Sequence, residues 1–491
     1  MKKRKKSGRR RIKRPGRSQP SVRPRKAASA SSARRRVIWV LAVAVIVCAG
    51  TAGFFCLRFL WRTDEKPQTA EQPPSQTEDQ VLLPAHKPLR TEQEVFALKE
   101  EELELAEKLM RDFPGNEDSL ALMGNVQHRH GDAVEAVKFW EKALAINPNR
   151  ADVYDSMGWL SIKKGEFEQA IALYRKALER QPKLPNAHSN IGHALMILGR
   201  QDEAMEELEK EIQISANSSF AYFLLGQAYL QRSEYEKAKQ YYETVIKLDP
   251  QYANAYYGLA TICTHLGDSE KAKVYAEQFR KLKAEQRKDL KGRKLVYDDF
   301  VETQKGAALT YIAAGRMYQY DGKWQEAEEL LKRAAGLDPE NAECFLQLAS
   351  LYQEQGQLSN ALTMHRKISE IQPGNPMCYV NIGMFSVQLN QFDEAEEAFR
   401  KVITLTPQRS NGYRYLARLY LSTNSKLAEA RRLAEKAVTL EAIAVNYFLL
   451  SSACYKNGDM ANALSAIKRA VELEPGNSEY RRLYELIQLR N

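Results

Sequence analysis

The side chains best suited to do chemistry are scattered along this chain of 491 residues. Its seven histidines are His86, His128, His130, His188, His193, His265 and His365. Only His128-Arg129-His130 brings two together, and two imidazoles without a third ligand make a poor metal site, so a polar turn is the expected role. Acid–base work would need carboxylates in a sheltered pair, yet Glu206-Glu207 and Glu396-Glu397 fall on charged, helix-prone stretches where both are solvated. No H-E-x-x-H, no G-x-S-x-G and no phosphate-cradling glycine loop followed by Lys-Ser or Lys-Thr is present. The six cysteines (Cys48, Cys56, Cys263, Cys344, Cys378 and Cys454) form no C-x-x-C. Nor do they fall beside histidine at metal spacing, so free thiols packed as small apolar groups are expected rather than a disulfide framework. No cofactor, no metal and no catalytic residue is implied, and the chain reads as something other than an enzyme.

The elements that hold these side chains are repeats. Ser219–Tyr252 spans 34 residues and carries Tyr222, Leu225, Gly226, Tyr229, Ala238, Tyr242 and Pro250 at set offsets. Steps of 34 residues outward give Glu117–Arg150, Ala151–Leu184, Pro185–Ser218 and Ala253–Gln286. A second set, in its own register, runs Ala308–Asn341, Ala342–Asn375, Pro376–Arg409, Ser410–Ile443 and Ala444–Asn477. The fourth of these has one extra residue in its inner turn. The eighth place is small in all ten units (Gly124, Gly158, Gly192, Gly226, Ala260, Gly315, Ala349, Gly383, Ala417, Ser451), which lets two helices approach closely. The twentieth place is always Ala, Ala430 included after the insertion. A closing proline, which cannot continue a helix, stands at Pro148, Pro182, Pro250, Pro339, Pro373, Pro407 and Pro475, and is replaced at Ala216, Ala284 and Ala442.

This spacing resembles the tetratricopeptide repeat over about three quarters of the chain, with Tyr in place of the usual Trp and Phe. The resemblance implies an all-α solenoid of helix-turn-helix units, about ten in two arrays, and no catalysis. It also implies that first helices line a concave face which binds an extended peptide or a partner's helix. Carried onto the second, fifth, ninth and twelfth places of each unit, it points to Phe220, Phe223 and Tyr257 as an aromatic patch in the first array. In the second array it points to Arg316, Arg414 and Arg418, a basic stripe suited to an acidic segment or a C-terminal carboxylate. The alternative for each is an ordinary surface residue. The Lys-Asn-Asn-Lys-Arg carboxylate clamp of chaperone-binding members is absent. Of the asparagine ladder found in members fused to sugar transferases, only Asn190 and Asn381 remain.

Charge is unevenly spread. Residues 1–36 hold 17 of the 73 basic residues and no acidic one, so the other 56 face all 62 acids. The basic character belongs to the tail, which is too charged to fold alone. Val37–Leu57 follows with 21 uncharged residues, enough at about 1.5 Å each to cross roughly 30 Å of hydrocarbon. Trp39 and Trp61 flank it at headgroup level. A cleaved signal peptide competes through Val47-Cys48-Ala49, but the apolar run continues through Phe59 and Leu60, beyond a usual signal core. Residues 37–61 therefore read as an uncleaved transmembrane helix. The positive-inside rule places the N-terminus in the cytoplasm and the repeats outside it, in the periplasm if the cell is bacterial. The basic blocks fit orientation and contact with anionic lipid better than a nuclear signal or a nucleic-acid patch.

Residues 62–90 read as a disordered linker and 91–116 as an N-terminal capping helix whose glutamates face water. Array 1 spans 117–286 and array 2 spans 308–477, with a charged helical connector at 287–307 and a C-terminal cap at 478–491. The connector is either solvated or a hinge or partner contact. The expected function is a membrane-anchored scaffold that binds segments of other proteins and supports complex assembly. The alternatives are a non-catalytic subunit of a membrane-associated enzyme, such as a glycosyltransferase or an envelope-building machine, or a nucleic-acid binder acting through the tail.

Overall fold

The computed structural model describes residues 83–84, 86–89, 91–292 and 295–490, with the backbone alone for 288–292 and 295–299. The expected tail, transmembrane helix and most of the linker lie outside these residues. Among the described residues no helix is long and apolar enough to cross a membrane. Pro74–Tyr420 together with Lys426–Asn491 make up one unit, and Leu421–Ser425 belong to another.

All twenty-two elements of the described residues are α-helices. A leading helix, α1 (Glu92–Asp112), is followed by pairs: α2 (Glu117–Arg129) with α3 (Ala133–Ile146), α4 (Ala151–Lys164) with α5 (Phe167–Arg180), and α6 (Ala187–Ile197) with α7 (Gln201–Ile214). Then come α8 (Ser219–Gln231) with α9 (Tyr235–Leu248), and α10 (Ala253–His265) with the long α11 (Ser269–Gly292). The second set opens on the long α12 (Leu295–Tyr320) with α13 (Trp324–Leu337). It continues with α14 (Ala342–Glu354), α15 (Leu358–Ile371), α16 (Pro376–Gln388), α17 (Phe392–Leu405), α18 (Ser410–Ser422), α19 (Leu427–Leu440), α20 (Ala444–Lys456) and α21 (Met460–Leu473). The last helix is α22 (Ser478–Arg490).

The two invariant places explain how each pair closes. The twentieth-place alanines are buried to zero exposure in nine repeats, Ala272 being the exception. A Cβ added at Gly124 would stand 2.5 Å from the indole of Trp140, itself wholly buried, so only glycine lets α2 and α3 meet there. Where the tenth unit has Ser451 instead, its hydroxyl donates to the carbonyl of Ala463 at the twentieth place (2.8 Å). The small residue has become a hydrogen bond between the same two helices, and nothing is left unpaired. The four described cysteines are buried free thiols, and burial pushes Cys344 up to about 12.

The leading helix does more than cap the first repeat. Thr91 and Glu94 form a capping box at its start. One side of α1 packs on α2, through Ala106 with Met123 and Val126. Another packs on α12, where Leu98, Leu105 and Leu109 join the core of the second array with Tyr311, Ile312 and Tyr318. The two long helices α11 and α12 thus return the chain to the N-terminal end of the first array. Residues 83–84 and 86–89 also lie on this seam instead of standing clear of it. Leu83 and Leu89 pack on the same core, His86 Nδ1 donates to the Gly336 carbonyl (3.0 Å), and Gln304 Nε2 donates to the Lys87 carbonyl (2.9 Å).

The expectation that all the glutamates of α1 face water fails at Glu102, which is 2% exposed. It meets Arg129, accepts from Thr310 Oγ1 (2.6 Å) and pairs with His130 Nε2 (2.8 Å). Burial opposes its charge, but the His130 bond, the Arg129 charge and the Thr310 hydroxyl more than offset that, holding the carboxyl below its usual range. Arg129 reaches Thr310 across Gly306, where a Cβ would stand 2.8 Å from the Arg129 Cδ. Beside this cluster, Glu101 accepts from the Tyr311 hydroxyl (2.6 Å) and from Arg333 (2.9 Å), and Tyr318 donates to Asp112. His128-Arg129-His130 is therefore half a seam between arrays and half an inner-face group, as His128 shows below.

Candidate functional site: the inner faces of the two arrays

Successive first helices touch one another: α4 with α6, α6 with α8, α8 with α10, and α12 with α14. Their remaining faces form a continuous inner side, and the second, fifth, ninth and twelfth places point to it because residues three and four apart share one face of a helix.

In the first array this side is aromatic and acidic. Trp159, at the ninth place of the second repeat, is 43% exposed and had no role in the sequence reading. The edge of His128 meets its ring at 5.3 Å between centroids, and Lys163 lies over the ring at 4.7 Å. One turn before it stands Asp155, half-buried and in no hydrogen bond or ion pair among the described residues. Burial, with the neighbouring charge of Asp152, raises its pKa. Asp152 itself is held by Arg150 (2.6 Å). His193 meets Phe220 edge-on at 5.8 Å. Burial, and for His128 also the charge of Arg129, lowers both imidazoles, so neither brings a positive charge at neutral pH.

The three expected aromatic residues differ in how much of each remains free. Phe223 packs on Tyr242 (5.7 Å) and Tyr252 (5.0 Å), and most of its surface is spent between repeats. Phe220 is half-buried beside His193, whereas Tyr257 is 60% exposed with Phe279 at one side.

In the second array the inner side is aliphatic, then basic. Leu309, Leu346 and Met377 are exposed at second and fifth places, and Val380, Met384 and Val387 are half-buried on the same side of α16. A sequence scan weighted toward aromatics and charges passes over this methionine and leucine surface, because such residues at helical spacing more often mark a core. Arg414 and Arg418 lie one turn apart on α18, in the next repeat. Arg414 donates to Asn411 Oδ1 (2.7 Å), and a buried Nη2 of Arg418 has no hydrogen-bond partner among the described residues. Glu479 and Arg482 of α22 stand within electrostatic reach, and burial keeps Glu479 raised even against those two guanidinium groups. Arg316 is exposed on α12, three repeats away, so the structure brings Arg414 and Arg418 together and leaves Arg316 apart. Among the described residues, no group of three or more His, Cys, Asp or Glu is placed to hold a metal ion.

Comparison with known proteins agrees with the repeat geometry. Models described as TPR repeat and tetratricopeptide repeat match residues 161–199, 185–218, 219–252, 241–274, 319–379, 378–409 and 444–477. No curated protein matches the chain by sequence. Similar solved structures include MamA from Desulfovibrio magneticus, 22% identical over 35% of this chain and 97% of that one, with a TM-score of 0.32. Yeast Tom70 is 16% identical over 82% of this chain and 96% of its own, with a TM-score of 0.30. The first TPR of Spaghetti (RPAP3), solved with an HSP90 peptide, is 26% identical over 24% of this chain and 94% of its own, with a TM-score of 0.24. The 34-residue period, the helix pairs closed by glycine and alanine, and the matches of the repeat models together make this chain a tetratricopeptide-repeat protein.

Proposed function

We propose that the chain is a membrane-anchored scaffold whose two inner faces take segments of partner proteins and hold them in one complex. The observation that carries this reading is the solvent-facing apolar and aromatic surface at the inner places of the first helices. Trp159, Tyr257, Leu309, Leu346 and Met377 are all open there. Water-exposed side chains of this size on one side of an array are what an extended or helical partner segment covers. The family-model matches support the same role. In the second array the aliphatic surface runs into Arg414 and Arg418, so an apolar segment with an acidic end fits it, the carboxylate meeting these two part-exposed guanidinium side chains.

Anchoring rests on the uncharged run Val37–Leu57, and the basic residues before it favour a cytoplasmic N-terminus with the repeats on the far side. The test is a crosslinked pull-down from solubilised membranes, comparing the natural chain with one carrying Met384→Glu, Arg414→Glu and Arg418→Glu. Partners lost from the variant at unchanged helicity would place binding on the inner face. An identical partner set on both would rule that face out.

A further inference from the structure

The inner face of the first array carries a different chemistry, and we infer that it takes a cationic side chain, Arg or Lys, from a basic partner segment, seated on Trp159 and paired with Asp155. This rests on the reading that inner faces bind partner segments.

Asp155 and Trp159 are four residues apart on α4 and therefore share a face. The carboxylate is half-buried and has no cation, a state that costs free energy until a positive charge arrives. Among the described residues no cation pairs with it, and Arg150 is already engaged by Asp152 and Asp118. The ring of Trp159 already demonstrates what it accepts. The chain's own Lys163 ammonium lies over it at 4.7 Å, an exposed lysine in no ion pair among the described residues, standing in for the ligand's cation. A guanidinium stacks on an indole better than an ammonium does, and it can reach a carboxylate at the same time, so an arginine of the partner displaces Lys163. The aromatic surface continues along the array through Phe220 and Tyr257, which would cover apolar residues on either side of that arginine. The second array offers the opposite: guanidinium groups beside an aliphatic surface. The two faces therefore select two different segments, one basic and one acidic.

The experiment uses the full chain in detergent and two sets of fluorescent peptides of about twelve residues, identical except for a central Arg or a central Glu. With the second face removed by Arg414→Glu and Arg418→Glu, the Arg peptides should bind about tenfold more tightly than the Glu peptides. Asp155→Asn should remove most of that preference, and Trp159→Leu should do the same. Lys163→Ala, which uncovers the ring, should strengthen Arg-peptide binding by roughly threefold, a gain that a purely structural role for Trp159 would not produce. Arg414→Glu with Arg418→Glu should leave Arg-peptide binding unchanged. Equal binding of the two sets to the chain carrying Arg414→Glu and Arg418→Glu, or Arg-peptide binding indifferent to Asp155→Asn, overturns this inference. The reading beneath it stands if the Glu peptides bind the natural chain and lose that binding with Arg414 and Arg418. If neither set binds the natural chain, both this inference and the reading beneath it fall.

Discussion

The two arrays share one packing rule and differ in everything that packing leaves free. In both, the eighth and twentieth places are small because the helices of a pair touch there, and Ala136 and Ala327 are equally buried. The inner places have no such constraint. The first array fills them with Trp159, His193, Phe220 and Tyr257 beside an unpaired Asp155, and the second with Leu309, Leu346, Met377 and Met384 beside Arg414 and Arg418. A fold built by repetition can thus carry two inner faces of different charge without altering its core. The arrays also differ at their starts. The second begins on a helix that packs against α1 and residues 83–84 and 86–89, so residues ahead of the first array complete the core of the second.

That seam is where the comparison breaks most readily. Leu105→Asp with Leu109→Asp puts two carboxylates into the shared core and should cost roughly 5 kcal/mol or more. The expected result in a thermal melt is a single transition splitting in two, with the second array lower and the connector 287–307 newly open to protease. A single unshifted transition would show that each array stands without the seam. Glu102→Ala leaves Arg129 facing a buried gap and should lose about 3 kcal/mol. Glu102→Gln should lose less, since it keeps a partner for Thr310; equal losses would mean that the carboxylate charge is irrelevant. Denaturant midpoints measure both.

Within the repeats, Gly124→Ala drives a methyl against the buried Trp140 and should cost about 1–3 kcal/mol. At the seam, Gly306→Ala meets only the flexible stem of Arg129 and should cost about 1 kcal/mol, which separates the rigid contact from the adjustable one.

A further expected effect concerns pH. His365 of the second array is buried against Phe385, its Nδ1 has no partner, and burial lowers it from 6.5 to about 4. The unfolded chain binds a proton at this residue between those two values and the folded chain does not. Stability from this group is therefore complete above pH 6.5 and is lost as pH falls toward 4. The expected loss between pH 7 and pH 5 is roughly 2 kcal/mol, absent in His365→Leu. Glu207 of the first array behaves oppositely in one respect. Burial opposes its charge, but bonds from His188 and Lys210 bring it to about 2, so its stabilising charge persists through the same range.

What the amino-acid sequence determines alone is the local and periodic part. A 34-residue period, small residues at two places and prolines at a third specify paired helices, their spacing and which face each buries, because those interactions lie within one repeat or between neighbours. The long continuation of the fifth repeat's second helix was legible in the same way, from a helix-prone run without a closing proline. Tyr257, Arg414 and Arg418 could be placed on inner faces by counting. Only the tertiary structure decided that Arg316 stands apart from the other two arginines, that Phe223 is spent on packing, and that Trp159 stays open beside an unpaired Asp155. It alone joined Glu102 to Thr310 and Asp112 to Tyr318, residues some two hundred positions apart. An amphipathic helix records that one side will be buried, but its apolar residues carry no label for the surface that buries them. For α1 the first repeat and the second array are equally acceptable by pattern, and the chain's path through α11 and α12 supplies the answer.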